Sequence, residues 1–295
     1  MPHRLSSRLS PLLGMLLLAV CVGCTSPAER RNTIETIDDT WITEVPEDSL
    51  TEMTENVRKL GALKAGSPEA FVSLPLLARQ AHSSPSALVR ADALRAAWRL
   101  AKDLPAPPLT ATAAKAAEFN DWMQRFEELD LHPDHDQGEE IQELAMRIAR
   151  YRFPPSQARY AVELASVVVV RGFQRRPSPV QEIFALEAPG ATRHALTLVS
   201  LQAAEDSVTF VREEALRAAR YFDVETAVRR LSISLTTETD PVVLFTVLES
   251  IQVVGQQSGA DKVARLLEAA EQSPDAAVRR RAAAIAEALA EAVAA

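Results

Sequence analysis

One turn, between His132 and Asp136, holds the densest group of potential metal ligands in the sequence. Imidazole nitrogens and carboxylate oxygens both bind Zn²⁺ in proteins, so His132, Asp134 and His135 are candidate metal ligands. The two histidines are only three positions apart across a proline, and no further histidine lies nearby. A calcium-binding loop is also disfavoured, because Gly138 does not lie where such a loop needs its glycine. We therefore expect a solvated turn between helices, with no metal and no other cofactor.

The other polar residues form no recognisable catalytic arrangement. His82 and His194 are isolated in segments with a helical pattern, and the sequence shows no Ser–His–acid motif and no glycine-rich phosphate loop. The two cysteines, Cys21 and Cys24, both lie near the start of the chain. The rest of the sequence has no thiol for catalysis, for a disulfide or for a metal, and it predicts a protein that is not an enzyme.

The first residues have the pattern of an export signal. Arg4 and Arg8 give a positive start, and an apolar run extends from Leu12 to Gly23. A helix of that length spans about 18 Å, which is less than the roughly 30 Å of a bilayer's hydrocarbon layer. Pro11 limits any extension toward the N-terminus. We therefore favour a cleaved signal peptide over a membrane-spanning helix.

The end of this run, Cys21-Val22-Gly23-Cys24, resembles the lipobox of bacterial lipoproteins, in which a small residue directly precedes a cysteine. The resemblance implies that residues 1–23 are a lipoprotein signal peptide cleaved after Gly23, and that Cys24 carries acyl chains such as palmitate. Two or more chains anchor a protein stably to a membrane. An ordinary secretory signal is the alternative, because Cys21 stands where a lipobox usually has leucine.

The resemblance also implies a location in the bacterial cell envelope, facing the periplasm. Thr25-Ser26 lacks the aspartate that retains some lipoproteins at the inner membrane, so the outer membrane is favoured. Residues 24–47 contain scattered acids and little periodicity. They are predicted to form a flexible acidic tether with an average reach of about 25 Å. The apolar pair Trp41-Ile42 is expected to dock on the folded domain, with a short binding motif as the alternative.

Composition limits both the fold class and the partners. The chain has 32 basic and 40 acidic residues, and loss of Arg4 and Arg8 with the signal peptide changes the net charge from −8 to −10. Such a surface lacks the cationic footprint of nucleic acid binding, so we expect no nucleic acid partner. Only 5% of residues are aromatic and only 9 are glycine. These features favour an all-α domain over residues 48–295.

Four segments share one pattern of apolar residues, anchored on Val89, Val211, Val243 and Val278. Small or apolar residues recur four, eight and eleven positions after each valine, which places them on one face of a helix. The last three valines are 32 and 35 residues apart. The sequence therefore predicts repeated helical hairpins, in which an apolar first helix precedes each valine-bearing second helix.

The turns before the second helices carry an Asp-Pro-x-Val-Arg pattern, best seen from Asp240 to Val243 and from Pro274 to Arg279. In this turn pattern the sequence resembles HEAT repeats, especially the short bacterial type named after phycobilisome lyases. The resemblance is clearest over residues 68–102 and 191–293, while residues 105–190 lack the motif.

The HEAT resemblance implies a right-handed α-solenoid. Val89 and Val211 are 122 residues apart, which equals three steps of about 41 and gives roughly six hairpins in all. Leu244 departs from the pattern, because it stands where the repeat has arginine.

The same resemblance gives the repeated arginines a structural role. It implies that Arg90, Arg212 and Arg279 form a hydrogen-bond ladder between repeats, with turn acids such as Asp206 and Asp275. Stacking requires the same residue at the same place in each unit. The alternative is that the arginines line a carboxylate-binding surface.

These features favour a membrane-anchored envelope lipoprotein that acts as a non-catalytic scaffold and binds a protein or peptide on the solenoid surface. One alternative is an enzyme or cofactor-handling protein related to HEAT-like lyases, which a metal bound by His132, Asp134 and His135 would support. The other is a structural subunit of an envelope assembly, which differs from a scaffold only in stoichiometry.

Overall fold

Helices account for all the regular secondary structure in the computed structural model, which describes residues 47–104, 116–131, 138–173 and 178–294. The all-helical prediction is therefore confirmed. Residues Pro46–Ala295 form one compact unit. Two 3₁₀ segments, at Pro155–Gln157 and Ala218–Tyr221, accompany the α-helices. The helices are α1 (Glu47–Gly61), α2 (Pro68–Ser83), α3 (Ala87–Ala101), α4 (Ala116–Leu131), α5 (Gly138–Ala149), α6 (Ala158–Gly172), α7 (Pro179–Ala203), α8 (Thr209–Arg217), α9 (Val224–Thr237), α10 (Pro241–Ser258), α11 (Ala260–Glu271) and α12 (Ala276–Ala294).

Side-chain caps fix where several helices begin. At the start of α2, the Ser67 hydroxyl accepts a hydrogen bond from the N–H of Ala70 at 3.1 Å. At the start of α10, the Asp240 carboxylate accepts from the N–H of Val242 at 2.9 Å. Each cap gives a partner to a backbone N–H that the helix itself leaves unsatisfied.

The four helices that carry the anchoring valines pack on one another in chain order. α3 contacts α8, α8 contacts α10, and α10 contacts α12. All four valines are completely buried. Ala93 and Ala97 in α3 and Ala215 in α8 are buried with them, and such small side chains let helices approach closely.

The contact between α3 and α8 differs from the sequence prediction. Val89 and Val211 are 122 residues apart, which predicted three repeat steps, yet their helices touch directly. The intervening helices pack elsewhere: α4 on α5, α5 and α6 on α7, and α6 also on α2. α7, which is 25 residues long, contacts α2, α3, α5, α6 and α8. The long helix α7 thus contacts the intervening helices α5 and α6 as well as α3 and α8. The faces of α3 and α8 that carry small residues pack against each other.

Candidate functional site

Arg90 links α3 to the turn before α8. Its Nε and Nη2 donate to the two carboxylate oxygens of Asp206 at 2.9 and 3.0 Å, and its Nη1 donates to the backbone oxygens of Ser84 and Pro85 at 2.9 and 3.2 Å. A bidentate pair of this kind fixes orientation as well as distance. Both charged side chains are mostly buried. Arg90 therefore orients two neighbouring helical pairs and does not present its charge to a ligand.

Arg212 makes the same set of contacts one helical pair later. Its Nε and Nη2 donate to the carboxylate of Glu238 at 2.8 and 3.3 Å, and its Nη1 donates to the backbone oxygens of Asp206 and Ser207 at 3.0 and 3.2 Å. Desolvation opposes ionisation of Glu238, but hydrogen bonds from Arg212 and from two backbone N–H groups outweigh it and lower the pKa. Glu238 is thus ionised at neutral pH.

Among the described residues the arginine ladder has two rungs. The next equivalent position holds Leu244, which is buried and has no side-chain donor. Asp206 and Glu238 each accept a hydrogen bond from the N–H two residues on, and in the following turn Ser273 holds that position. Asp275, which was predicted as a ladder acid, instead caps its own helix, α12, by accepting from two N–H groups at 2.6 and 3.2 Å. Arg279 keeps the local contacts to backbone oxygens of its turn at 2.7 and 2.9 Å, but it pairs with no acid in the part of the chain that the structure describes.

Three exposed apolar side chains form what we call the apolar row: Leu88, Phe210 and Val242. Each directly precedes a buried anchoring valine, and the exposed fractions are 49%, 44% and 56%. The three residues lie near the starts of α3, α8 and α10, and these helices contact one another in that order. Isolated exposed apolar residues are ordinary on a protein surface. Their recurrence at equivalent positions of adjacent helices is a different observation, and it defines a candidate interaction surface.

A network of ion pairs begins one helical turn C-terminal to this row. Arg95 in α3 pairs with Asp92 at 3.0 Å and with Glu214 in α8 at 2.8 Å. Arg217 pairs with Glu214 at 2.6 Å and with Glu213 at 3.0 Å. Asp92 and Glu214 follow Leu88 and Phe210 by four positions, and so lie on the same helix faces. The surface therefore combines an apolar row with a charged border that connects two helices.

His194 in α7 is partly buried, and no acidic side chain among the described residues pairs with it. Desolvation and the positive charge of Arg152 lower its pKa to about 4, against a backbone hydrogen bond at Phe153 that opposes the shift. Its Nε2 and two nitrogens of Arg152 are buried without a hydrogen-bond partner. The pKa of Arg152 is lowered by its own desolvation, which the charge of Glu187 partly offsets. Near neutral pH His194 is therefore a neutral, partly buried side chain.

The remaining predicted site residues fall outside the described residues. These are Gly23, Cys24, and the candidate metal ligands His132, Asp134 and His135. Among the residues that the structure does describe, no three His, Cys, Asp or Glu side chains are grouped to hold a metal ion. Within the same residues, no helix is both long enough and apolar enough to cross a membrane.

Comparison of the chain with protein-family models, with curated proteins and with solved structures found no match in any of the three. The apolar row is the feature that sequence reasoning missed. Its signal was present, because Leu88, Phe210 and Val242 occupy one column of the four aligned segments. The sequence could not show that these three side chains are exposed. Whether the residue before a buried valine faces solvent depends on where the neighbouring helices lie.

Proposed function

We propose that this protein is a lipid-anchored envelope lipoprotein whose helical repeats form an α-solenoid and bind a protein or peptide partner without catalysis. The observation that carries the proposal is the apolar row, Leu88, Phe210 and Val242, on three successive second helices. A surface that repeats with the helices suits an extended partner better than a small molecule.

The arrangement of the second helices supports the solenoid. α3, α8, α10 and α12 contact one another in sequence, and the junctions from α3 to α8 and from Arg212 to Glu238 use the same arginine geometry. Repeat proteins are stabilised by such nearest-neighbour contacts and present extended surfaces for binding. Helical pairs 68–101 and 179–217 are neighbours here, so the solenoid we propose is shorter than six hairpins, with residues 116–172 packed beside it.

The surroundings of the apolar row support binding of a polypeptide. Packed helices are about 8–10 Å apart, so the row extends over roughly 20 Å. A polyproline II segment has three residues per turn and rises about 3.1 Å per residue, so every third side chain, about 9 Å apart, would face a member of the row. Arg95 and Glu214 supply a polar border of the kind that surrounds the apolar centre of protein interfaces.

Site-specific photo-crosslinking tests the surface. A photoreactive amino acid replaces Phe210 or Val242 in the full-length protein in cells, and the matched control replaces Ile233, which is exposed to the same extent as Phe210, 44%, but lies in a first helix, α9. We expect the same partner adduct from both row positions and none from Ile233. Equal labelling at all three positions, or labelling at Ile233 alone, would contradict the proposed surface.

The lipid anchor is tested separately by mass spectrometry of the mature N-terminus. The lipobox-like Cys21-Val22-Gly23-Cys24 supports it. We expect a chain that begins at an acylated Cys24, and we expect the Cys24→Ser variant to lose the acyl mass and the membrane fraction. A wild-type chain with unmodified Cys24, or one that still begins at Met1, would remove the anchor from the proposal.

A further inference from the structure

We propose that the groove between α1 and α3 binds a carboxylate-rich peptide segment of the partner. The inference rests on the proposed function, because it states that one end of the bound partner is negatively charged and lies in this groove. The groove has a volume of about 480 Å³ and shares Leu88 with the apolar row. The binding surface thus continues past the row, onto the first helix that the structure describes.

The floor and walls of the groove are apolar. Val57 and Ala96 are buried beneath it, and the exposed side chain of Leu88 forms part of its wall. A Cβ on Gly61 would lie 3.1 Å from the Cβ of Ala96, so the end of α1 lies close against α3. A peptide in the groove can therefore place an apolar side chain against Leu88 while its polar groups face the rim.

The rim of the groove is cationic. Arg58, Arg95 and Arg99 line it together with a single acid, Asp92. Asp92 is paired with Arg95. The guanidinium of Arg99 donates to the backbone oxygen of Leu63 at 3.2 Å. Neither Arg58 nor Arg99 is paired with an acid within the described ranges, and both are exposed.

The groove thus brings two guanidinium groups without an acid partner to one place, in a chain of net charge −8. Guanidinium binds carboxylate through two parallel hydrogen bonds, which are stronger than those between neutral groups. A short acidic peptide reaches these two cations without approaching the rest of the protein. An anionic membrane would also approach the rest of a chain whose net charge is −8, so charge favours the peptide over a lipid surface.

The test measures binding of a fluorescein-labelled peptide, Glu-Glu-Leu-Glu-Glu-Leu-Glu-Glu, to the full-length protein in mild detergent by fluorescence anisotropy. The peptide with glutamine in place of each glutamate is its control. The double variant Arg58→Gln, Arg99→Gln removes the free cations of the groove. The matched control Arg229→Gln, Arg265→Gln removes the same charge from two exposed arginines of α9 and α11.

We expect the acidic peptide to bind the wild type more tightly than its glutamine form, and more weakly as salt is added. The groove variant should lose about tenfold or more in affinity, since hydrogen bonds between charged groups are lost, and the control variant less than about twofold. Arg58→Lys, Arg99→Lys should recover part of the loss. Unchanged thermal melting of both double variants verifies that they fold.

Three results would overturn the inference: equal binding of the two peptides, equal losses in the two double variants, or arginine-dependent binding of phosphatidylglycerol vesicles without peptide binding. The crosslinks at Phe210 and Val242 do not depend on Arg58 or Arg99. If the crosslinks form and the groove variant changes nothing, the groove assignment fails while the proposed function stands. If the crosslinks are absent, the proposed function itself fails.

Discussion

Two junctions between second helices are built from different kinds of interaction. Where α3 meets α8, polar and aromatic contacts accompany the buried small residues: Arg90 pairs with Asp206 in the turn before α8, and the indole N–H of Trp98 donates to Ser200 in the adjacent α7 at 2.8 Å. Between α10 and α12 the contact is mainly apolar, with an exposed hydrogen bond at 3.3 Å from Arg281 to Gln252. Leu244 replaces the ladder arginine there, and a Cβ on Gly255 would lie 2.7 Å from the side chain of Leu289.

The difference separates what holds the helices together from what orients them. The α10–α12 junction shows that apolar burial can join two of these helices without a buried ion pair, because apolar area removed from water is the larger favourable contribution. The arginine pairs fix the relative orientation of the helices. They do so both between distant segments, since Arg90 and Asp206 are 116 residues apart, and between near ones, since Arg212 and Glu238 are 26 apart.

The largest expected effect is at the aromatic centre of the first junction. Trp98 is buried, with its ring 5.5 Å from that of Tyr221 and 5.6 Å from that of Phe222. Trp98→Ala should lower the free energy of unfolding by about 3–5 kcal/mol, because it leaves a cavity and removes the hydrogen bond to Ser200. Urea unfolding followed by circular dichroism measures it. Trp122→Ala is the control, since Trp122 is only partly buried, and a loss as large as that of Trp98→Ala would contradict the prediction.

The arginine ladder offers a matched pair of variants. Arg90→Met should lower the free energy of unfolding by about 2–3 kcal/mol, because Asp206 is left mostly buried without its charged partner. Arg279 has the same contacts to its own turn but no acid among the described residues. Arg279→Met should therefore cost less than about 0.5 kcal/mol. Equal effects of the two substitutions would show that the contacts to the turn matter, and that the inter-helix pair does not.

Acid should weaken the region around α7 through His194. Its folded-state pKa of about 4 lies below the ordinary value of 6.5, so the unfolded state binds more protons between these values. The contribution is present above about pH 6.5 and is lost as the pH falls toward 4. Between pH 7.5 and pH 5 it amounts to about 2 kcal/mol. His194→Gln should remove this part of the pH dependence, which denaturant unfolding at the two pH values measures. Parallel pH profiles for wild type and variant would exclude His194 as its source.

The sequence was sufficient to predict the helices and the core positions of the repeats. Apolar residues follow Val89, Val211, Val243 and Val278 with the period of a helix, and this period can be read directly from the sequence. The sequence was not sufficient to predict which helices touch. Arg90 is 116 residues from Asp206, and no local pattern marks them as partners. Leu244 was recognised as a departure, but the hydrogen bonds of the turns were needed to show that its counterpart is Ser273 and not Asp275.

The smallest expected effect tests whether a missing rung can be added. Leu244 is buried, and the position equivalent to Asp206 and Glu238 in the next turn holds Ser273. The double variant Leu244→Arg, Ser273→Asp exchanges apolar burial for a pair that would copy that of Arg90 with Asp206. The net change in stability is therefore small, and the informative quantity is the coupling. A double-mutant cycle of Leu244→Arg with Ser273→Asp should give a coupling energy of about 1 kcal/mol.

Aspartate is the suitable substitution at position 273 because its carboxylate can keep the hydrogen bond that the Ser273 hydroxyl accepts from the N–H of Asp275, as Asp206 does with the N–H of Val208. High salt should reduce a true ion-pair coupling. A coupling near zero, or one that salt does not change, would mean that α10 and α12 are packed at an angle that no longer admits the rung. The absence of arginine at position 244 would then be a consequence of apolar packing at this junction, and the two junctions would differ in geometry as well as in chemistry.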